Sequence, residues 1–175
     1  IFVISYNVTL QDREKKSPHA VSKTEIKEKK WPVYGEKKKL KPEKIDDAVF
    51  ELQNSDDASL LAGGHTLIPT LKQRLANPNL LVDLSGCGLS SIIRTGNEIK
   101  IGAMTCHADV AGNSDVIKSN PGLAQLADGI GDRQVRNRGT IGGSVANNDP
   151  AACYPSAVLA LRGTIHTSKR EIVAD

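Results

Sequence analysis

Gly-Gly occurs twice in this chain where an apolar run breaks: in Leu61-Ala62-Gly63-Gly64-His65-Thr66-Leu67 and in Thr140-Ile141-Gly142-Gly143-Ser144-Val145-Ala146-Asn147. A glycine lets the backbone enter φ > 0 and lets a ligand approach the main chain where a Cβ would otherwise stand. One such break is ordinary turn chemistry. Two of them, each beside a Thr or Ser and neither matching GxGxxG, point to a paired clamp on a diphosphate.

The charge distribution restricts what else the chain can do. The formal net charge of +3 hides a division: residues 1–44 hold 12 Lys+Arg against 6 Asp+Glu, and residues 45–175 hold 11 against 14. The basic balance is therefore local, and a nucleic-acid partner is not expected. Segment 1–39 also holds four of the six Phe, Trp and Tyr residues (Phe2, Tyr6, Trp31, Tyr34) and has no sustained apolar period. It reads as a basic leader outside the core. No stretch is apolar enough to span a membrane, and Ile1–Ile4 is too short for a signal segment. The three cysteines, Cys87, Cys106 and Cys153, are scattered without a CxxC, so neither a disulfide framework nor a metal or iron–sulfur site is expected. A cytoplasmic location is the simplest expectation.

Periodicity gives an α/β reading. Ile45, Val49 and Leu52 predict a helix over 43–54 behind Pro42, followed by a short buried strand from Ser59 to Ala62. A second helix should start at Thr66, with its hydroxyl as N-cap, and stop at Asn77-Pro78-Asn79. Leu80–Leu84 reads as another buried strand, which makes a βαβ unit with a parallel pair. Beyond Gly88, Ile92–Arg94 and Glu98–Ile101 flank Thr95-Gly96-Asn97 as a hairpin. Helices are expected over 107–116, 123–130 and 156–161, and strands over 140–147 and from Gly163 to Thr167. The polar run Asp132–Arg138, with Arg133, Arg136 and Arg138, should lie at a surface or a subunit contact.

Ala62–Pro69, Asp83-Leu84-Ser85, Ile99–Thr105, Arg136–Ser144 and Asp149-Pro150, taken in this order, closely resemble the FAD-binding medium subunit of molybdenum hydroxylases. That family includes aerobic carbon monoxide dehydrogenase and the flavin domain of xanthine dehydrogenases. The resemblance covers about residues 40–175, and family members continue into a C-terminal domain that would lie past Asp175. It implies a two-lobed, vanillyl-alcohol-oxidase-like (PCMH-type) fold of the α+β or α/β class. A small βαβ lobe would span 40–88 and a larger mixed-sheet lobe 89–175.

It further implies that Leu61, Ala62, Gly63, Gly64, His65, Thr66 and Leu67, with Thr140, Ile141, Gly142, Gly143 and Ser144, wrap the FAD diphosphate. Neither loop contains a Lys or Arg, so backbone N–H groups, hydroxyls and the helix start after Thr66 would carry the anion. Ile130 matches a position near the flavin, and Asp149 should help shape the pocket. Cys153 stands where many relatives have a cofactor-binding aspartate. His107 and His166 are expected to be structural, and Cys106 and Cys153 to be small core residues.

The implied function is that of an oxidoreductase subunit. Electrons would come from a 2Fe–2S small subunit and a molybdenum-cofactor large subunit, and would leave through FAD to an external acceptor. No catalytic acid or base and no metal ligand is assigned. A self-standing flavin oxidoreductase and a flavin-less assembly module remain as alternatives.

Overall fold

The computed structural model describes residues 38–174 together with the backbone of the strand Val3–Ser5, β1. β2 (Lys38–Leu40) leads into helix α1 (Ile45–Asn54), then β3 (Ala58–Leu61), helix α2 (Leu67–Lys72) and β4 (Leu80–Asp83). The sheet order is β2-β4-β3, and both pairings are parallel, with Lys39 opposite Leu81 and Leu60 opposite Val82. The expected βαβ unit is therefore present, with α2 as its crossover. Leu40, Ala48, Leu80, Val82, Leu84 and Met104 form its core.

β2 moves the expected boundary of the leader. Lys38 and Lys39 were assigned to a leader outside the core, yet they are strand residues, and Lys39 Nζ lies 2.8 Å from Asp83 Oδ2. Burial alone would raise the Asp83 carboxyl, but hydrogen bonds from Lys39 and Ser85 outweigh it and hold it below its usual range. β1 also lies within the assigned leader, and it pairs in parallel with a later strand. The remainder of that assignment falls outside the described residues.

The second half begins with the expected antiparallel hairpin of β5 (Ile92–Thr95) and β6 (Glu98–Ile101), in which Thr95 pairs with Glu98 across Gly96 and Asn97. Helices α3 (His107–Gly112), α4 (Ser114–Ser119) and α5 (Pro121–Asp128) follow. The single helix expected over 107–116 is split at Asn113, whose side chain accepts from the N–H groups of Asp115 and Val116 and so starts a new helix. The short helix α6 (Arg133–Arg136) precedes α7 (Ile141–Asn147) and α8 (Cys153–Ala160). Strand β7 (Thr164–His166) lies between β1 and β8 (Glu171–Val173). The second core joins Ile99, Ile101 and Ala103 to Val110, Val116, Leu123, Ala127, Ile141, Tyr154 and Val158.

One expected element changes type. Residues 140–147 were read as a strand, and they form α7. The hydroxyl of Thr140 accepts from the Gly143 N–H and caps the helix. Ile141 and Val145 then fall on one helical face, and Asn148, at φ 48°, closes the C-terminus in the left-handed region. Strand character survives only as an isolated bridge between Cys106 and Thr140.

Candidate functional site

The two glycine segments lie far apart in sequence and touch in the fold. A Cβ on Gly63 would collide with the Arg138 carbonyl oxygen and stand 2.8 Å from Gly139 Cα. A Cβ on Gly143 would lie 3.5 Å from Ala62 Cβ and 2.8 Å from Thr140 Oγ1. The topology explains the meeting. β3 ends the parallel sheet at Leu61, and the first loop leaves that sheet edge toward the second core.

The second loop is docked on the segment 103–107 by backbone hydrogen bonds. Gly142 N–H donates to Ala103 O at 2.9 Å, Ile141 N–H to Thr105 O at 3.1 Å, and His107 N–H to Gly139 O at 3.0 Å. Ala103 belongs to one core and its neighbour Met104 to the other, so this segment runs along the seam between them. Gly142 sits so close to it that a Cβ would come within 2.5 Å of Ala103 Cβ.

This docking corrects the expected division of donors. The N–H groups of Ile141, Gly142, Gly143 and Ser144 are all used within the protein, so they hold the loop's shape and are not available to an anion. The backbone N–H groups of Gly63, Gly64 and His65 make no hydrogen bond among the described residues. Gly64 has φ +78°, a conformation L side chains rarely adopt, which turns the chain out of β3. The main-chain N–H groups without a partner among the described residues therefore lie on the first loop, and those of the second are hydrogen-bonded within the protein.

The expected Thr66 cap is not made. Thr66 is already helical (φ −93°, ψ −51°) and its side chain caps nothing; the Gly64 carbonyl instead accepts from Ile68 N–H at 2.9 Å. His65 and Thr66 are exposed, Leu67 half-buried and Leu61 buried. Thr140 is buried and Ser144 half-buried.

The remaining expected residues share no hydrogen bond with either loop among the described residues. Ile130 is half-buried against the second core, and its carbonyl accepts from Arg136 Nη1 at 3.3 Å. Asp149 is exposed, and its Oδ1 accepts from Ala151 N–H at 2.9 Å in a turn that leads into α8. Cys153 begins α8 and is exposed, not a core residue as expected; Cys106 is half-buried. No hydrogen bond among the described residues joins Asp149 or Cys153 to either loop. In the arginine run, Arg133 and Arg138 are exposed, while Arg136 lies 3.6 Å from Asp128 Oδ1. His166 Nδ1 lies 2.8 Å from Glu171 Oε1 and ties β7 to β8.

Sequence reading missed the residues beneath the junction. Gly139 is packed between Gly63 and His107, and a Cβ there would stand 2.5 Å from His107 Nε2. Behind His107 lies Tyr154, with ring centroids 5.2 Å apart at a tilt of 46°. Burial, with a smaller contribution from His65, lowers the His107 pKa to about 4, so the ring is neutral near pH 7. A single His at the first position of a helix and a single Tyr within another carry no spacing signal that could have linked them.

The junction fits a flavin dinucleotide: free main-chain donors, hydroxyls and absent Cβ atoms are what a diphosphate needs where neither loop carries a Lys or Arg. Residues 35–173 match the family model described as FAD binding domain in molybdopterin dehydrogenase, so FAD is the cofactor of this domain. The chain is 36% identical over 139 residues to the nicotine 6-hydroxylase medium subunit of Paenarthrobacter nicotinovorans, covering 77% of this chain and 49% of that protein. It is 42% identical over 122 residues to the carbon monoxide dehydrogenase medium chain of Hydrogenophaga pseudoflava, covering 69% of this chain and 42% of the relative.

Among solved structures, it superposes on a chain of the carbon monoxide dehydrogenase of Hydrogenophaga pseudoflava with TM-score 0.73 and 38% identity, over 79% of this chain and 50% of the other. Quinoline 2-oxidoreductase from Pseudomonas putida 86 gives TM-score 0.75 at 31% identity, over 83% and 52%. The chain spans about half the length of the curated relatives it matches.

Proposed function

Because this chain belongs to the family of FAD binding domains in molybdopterin dehydrogenases, we propose that it is the flavin-holding, electron-transferring part of a molybdenum hydroxylase. In this reading electrons arrive from iron–sulfur clusters of a small partner subunit, after substrate oxidation at a molybdenum centre in a large one, and leave to an external acceptor. The relatives named as medium subunits and medium chains support such partners. The two-lobed vanillyl-alcohol-oxidase-like description, with lobes at about 40–88 and 89–175, belongs to the same reading, and the two separate cores support it.

The observation that carries the proposal is the contact between the two glycine segments, which brings Gly63 against Gly139 and Ala62 against Gly143. Gly63, Gly64 and His65 would donate main-chain N–H groups to the diphosphate. The hydroxyls of Thr66, Thr140 and Ser144 would add donors that need no formal charge. Leu61 and Ile141, both buried, fix the roots of the two loops, Ile141 in the second core. Bound FAD supplies the redox chemistry, and the protein orients it and excludes water. Ile130, Asp149 and Cys153 stay proposed flavin-side positions within the same reading.

The visible spectrum of the purified protein tests this. Retained flavin gives bands near about 370 and 450 nm, a property of the cofactor itself. Gly64→Val and Gly143→Val should each abolish flavin retention, the first through its positive φ and the second through Thr140 Oγ1. Full flavin content in both variants overturns the clamp.

A further inference from the structure

Gly139, His107 and Tyr154 form a stack that neither the loop motifs nor the family match assigns. Gly63 presses on one side of the Arg138–Gly139 backbone. On the side where Gly139 lacks a Cβ stands the His107 imidazole, whose Nε2 and Cδ2 would lie 2.5 Å and 2.9 Å from such an atom. The His107 main chain is fixed to the same residue, its N–H donating to Gly139 O at 3.0 Å. Tyr154, fully buried on α8, backs the imidazole ring. The order in space is first loop, Gly139, His107, Tyr154.

Two polar atoms in this stack have no protein partner among the described residues: His107 Nδ1 and Tyr154 Oη. An unsatisfied buried polar group typically costs about 1–3 kcal/mol, so an apolar pair of the same shape would be the cheaper packing element. Of the pair, His107 is the member that stands against the loops, at Gly139.

We propose that His107, backed by Tyr154, is a positioning residue for the cofactor: its ring sets the height of Gly139 and with it the gap between the two diphosphate-binding loops. The inference rests on reading these loops as the FAD clamp. His107 itself touches neither the flavin nor its phosphates; it acts through Gly139. The ring edge at Nε2 is the working part, because that atom meets the glycine. A side chain that reaches as far should preserve the gap, and a shorter one should let Gly139 sink.

Glutamine and asparagine separate these cases. The amide nitrogen of Gln reaches the place of Nε2, whereas Asn ends near the place of Nδ1. In the full protein, FAD titration should give His107→Gln a Kd within about threefold of the parent, and His107→Asn a Kd weaker by about tenfold or more. The phosphorus-31 resonances of bound FAD should move in the Asn variant and not in the Gln variant, a signature that general destabilisation does not produce.

Gly139→Ala should weaken FAD binding in the parent and cost less in a His107→Ala background, because the ring it strikes is then gone and only the Val135 carbonyl, at 3.2 Å, still crowds the added methyl. Equal FAD affinity and unchanged phosphorus shifts in the Gln and Asn variants, or strict additivity in the double variant, overturn the proposal. If Gly139→Ala does not fold, the Gln and Asn pair decides alone. Failure of the parent protein to bind FAD at all would strike the clamp reading instead.

Discussion

Glycines at this junction differ in what their missing side chain makes room for. At Gly63 the obstacle is backbone, the Arg138 carbonyl and Gly139 Cα, and neither can rotate away. At Gly143 the closest atom is the Thr140 hydroxyl, which is itself the cap of α7. Gly63→Ala should therefore separate the loops and reduce FAD affinity by at least about tenfold, measurable by flavin fluorescence titration. The neutral imidazole of His107 predicts an acid dependence. In the unfolded chain a histidine protonates near 6.5, while in the fold it resists down to about 4.

Between those values the unfolded state binds the extra proton, so stability should fall as pH drops from about 6.5 and level off near 4. Among the described residues, burial is the main cause of the lowering and His65 acts in the same direction. Denaturant melts across pH 4–7 should show a smaller slope for His107→Gln than for the parent. Asp83 acts lower on the scale: its contribution, fixed by Lys39 and Ser85, is present above its ordinary pKa and is lost only as pH falls through the lowered value.

At the scale of elements, the parallel sheet depends on a strand whose first two residues composition placed outside the core. Lysine-rich Lys38-Lys39-Leu40 looks solvated, yet Leu40 is 1% exposed and Lys39 pairs with Asp83. A truncation ending at Tyr34 keeps β2, and one ending at Leu40 removes it. The second should melt markedly lower than the first, or fail to fold. Loss of the Leu40 side chain alone is worth about 2–5 kcal/mol, and thermal unfolding followed by circular dichroism reads the difference. α7 shows the opposite failure of local reading. Thr-Ile-Gly-Gly-Ser-Val has the β-branched residues and glycines of a strand edge, but the Thr140 cap and docking on residues 103–107 select a helix.

On the scale of the whole molecule, two cores meet along the segment 103–107, and the junction of the glycine loops lies over that seam. Among the described residues there is no helix long and apolar enough to cross a membrane. Purified by itself, this protein should hydroxylate no aldehyde, purine or other substrate, and should at most reduce artificial acceptors slowly. Purified from cells that express the whole complex, it should carry iron–sulfur and molybdenum partners with it. Recovery as a lone flavoenzyme that turns over substrate would sink the complex.

The sequence by itself determined the βαβ unit, the β5–β6 hairpin and the two glycine segments, because each is set by local means: apolar period, turn residues and the absence of a Cβ. Ordered motifs also sufficed for the family and its cofactor. Tertiary structure alone decided that Gly63 meets Gly139, that the second loop spends its N–H groups on its own support, and that His107 and Tyr154 stand beneath the seam. It also decided that Lys38–Leu40 is a strand. These are contacts between residues distant in the chain. Their energy comes from packing and burial that arise only once both partners are in place, so no local pattern in either partner encodes them.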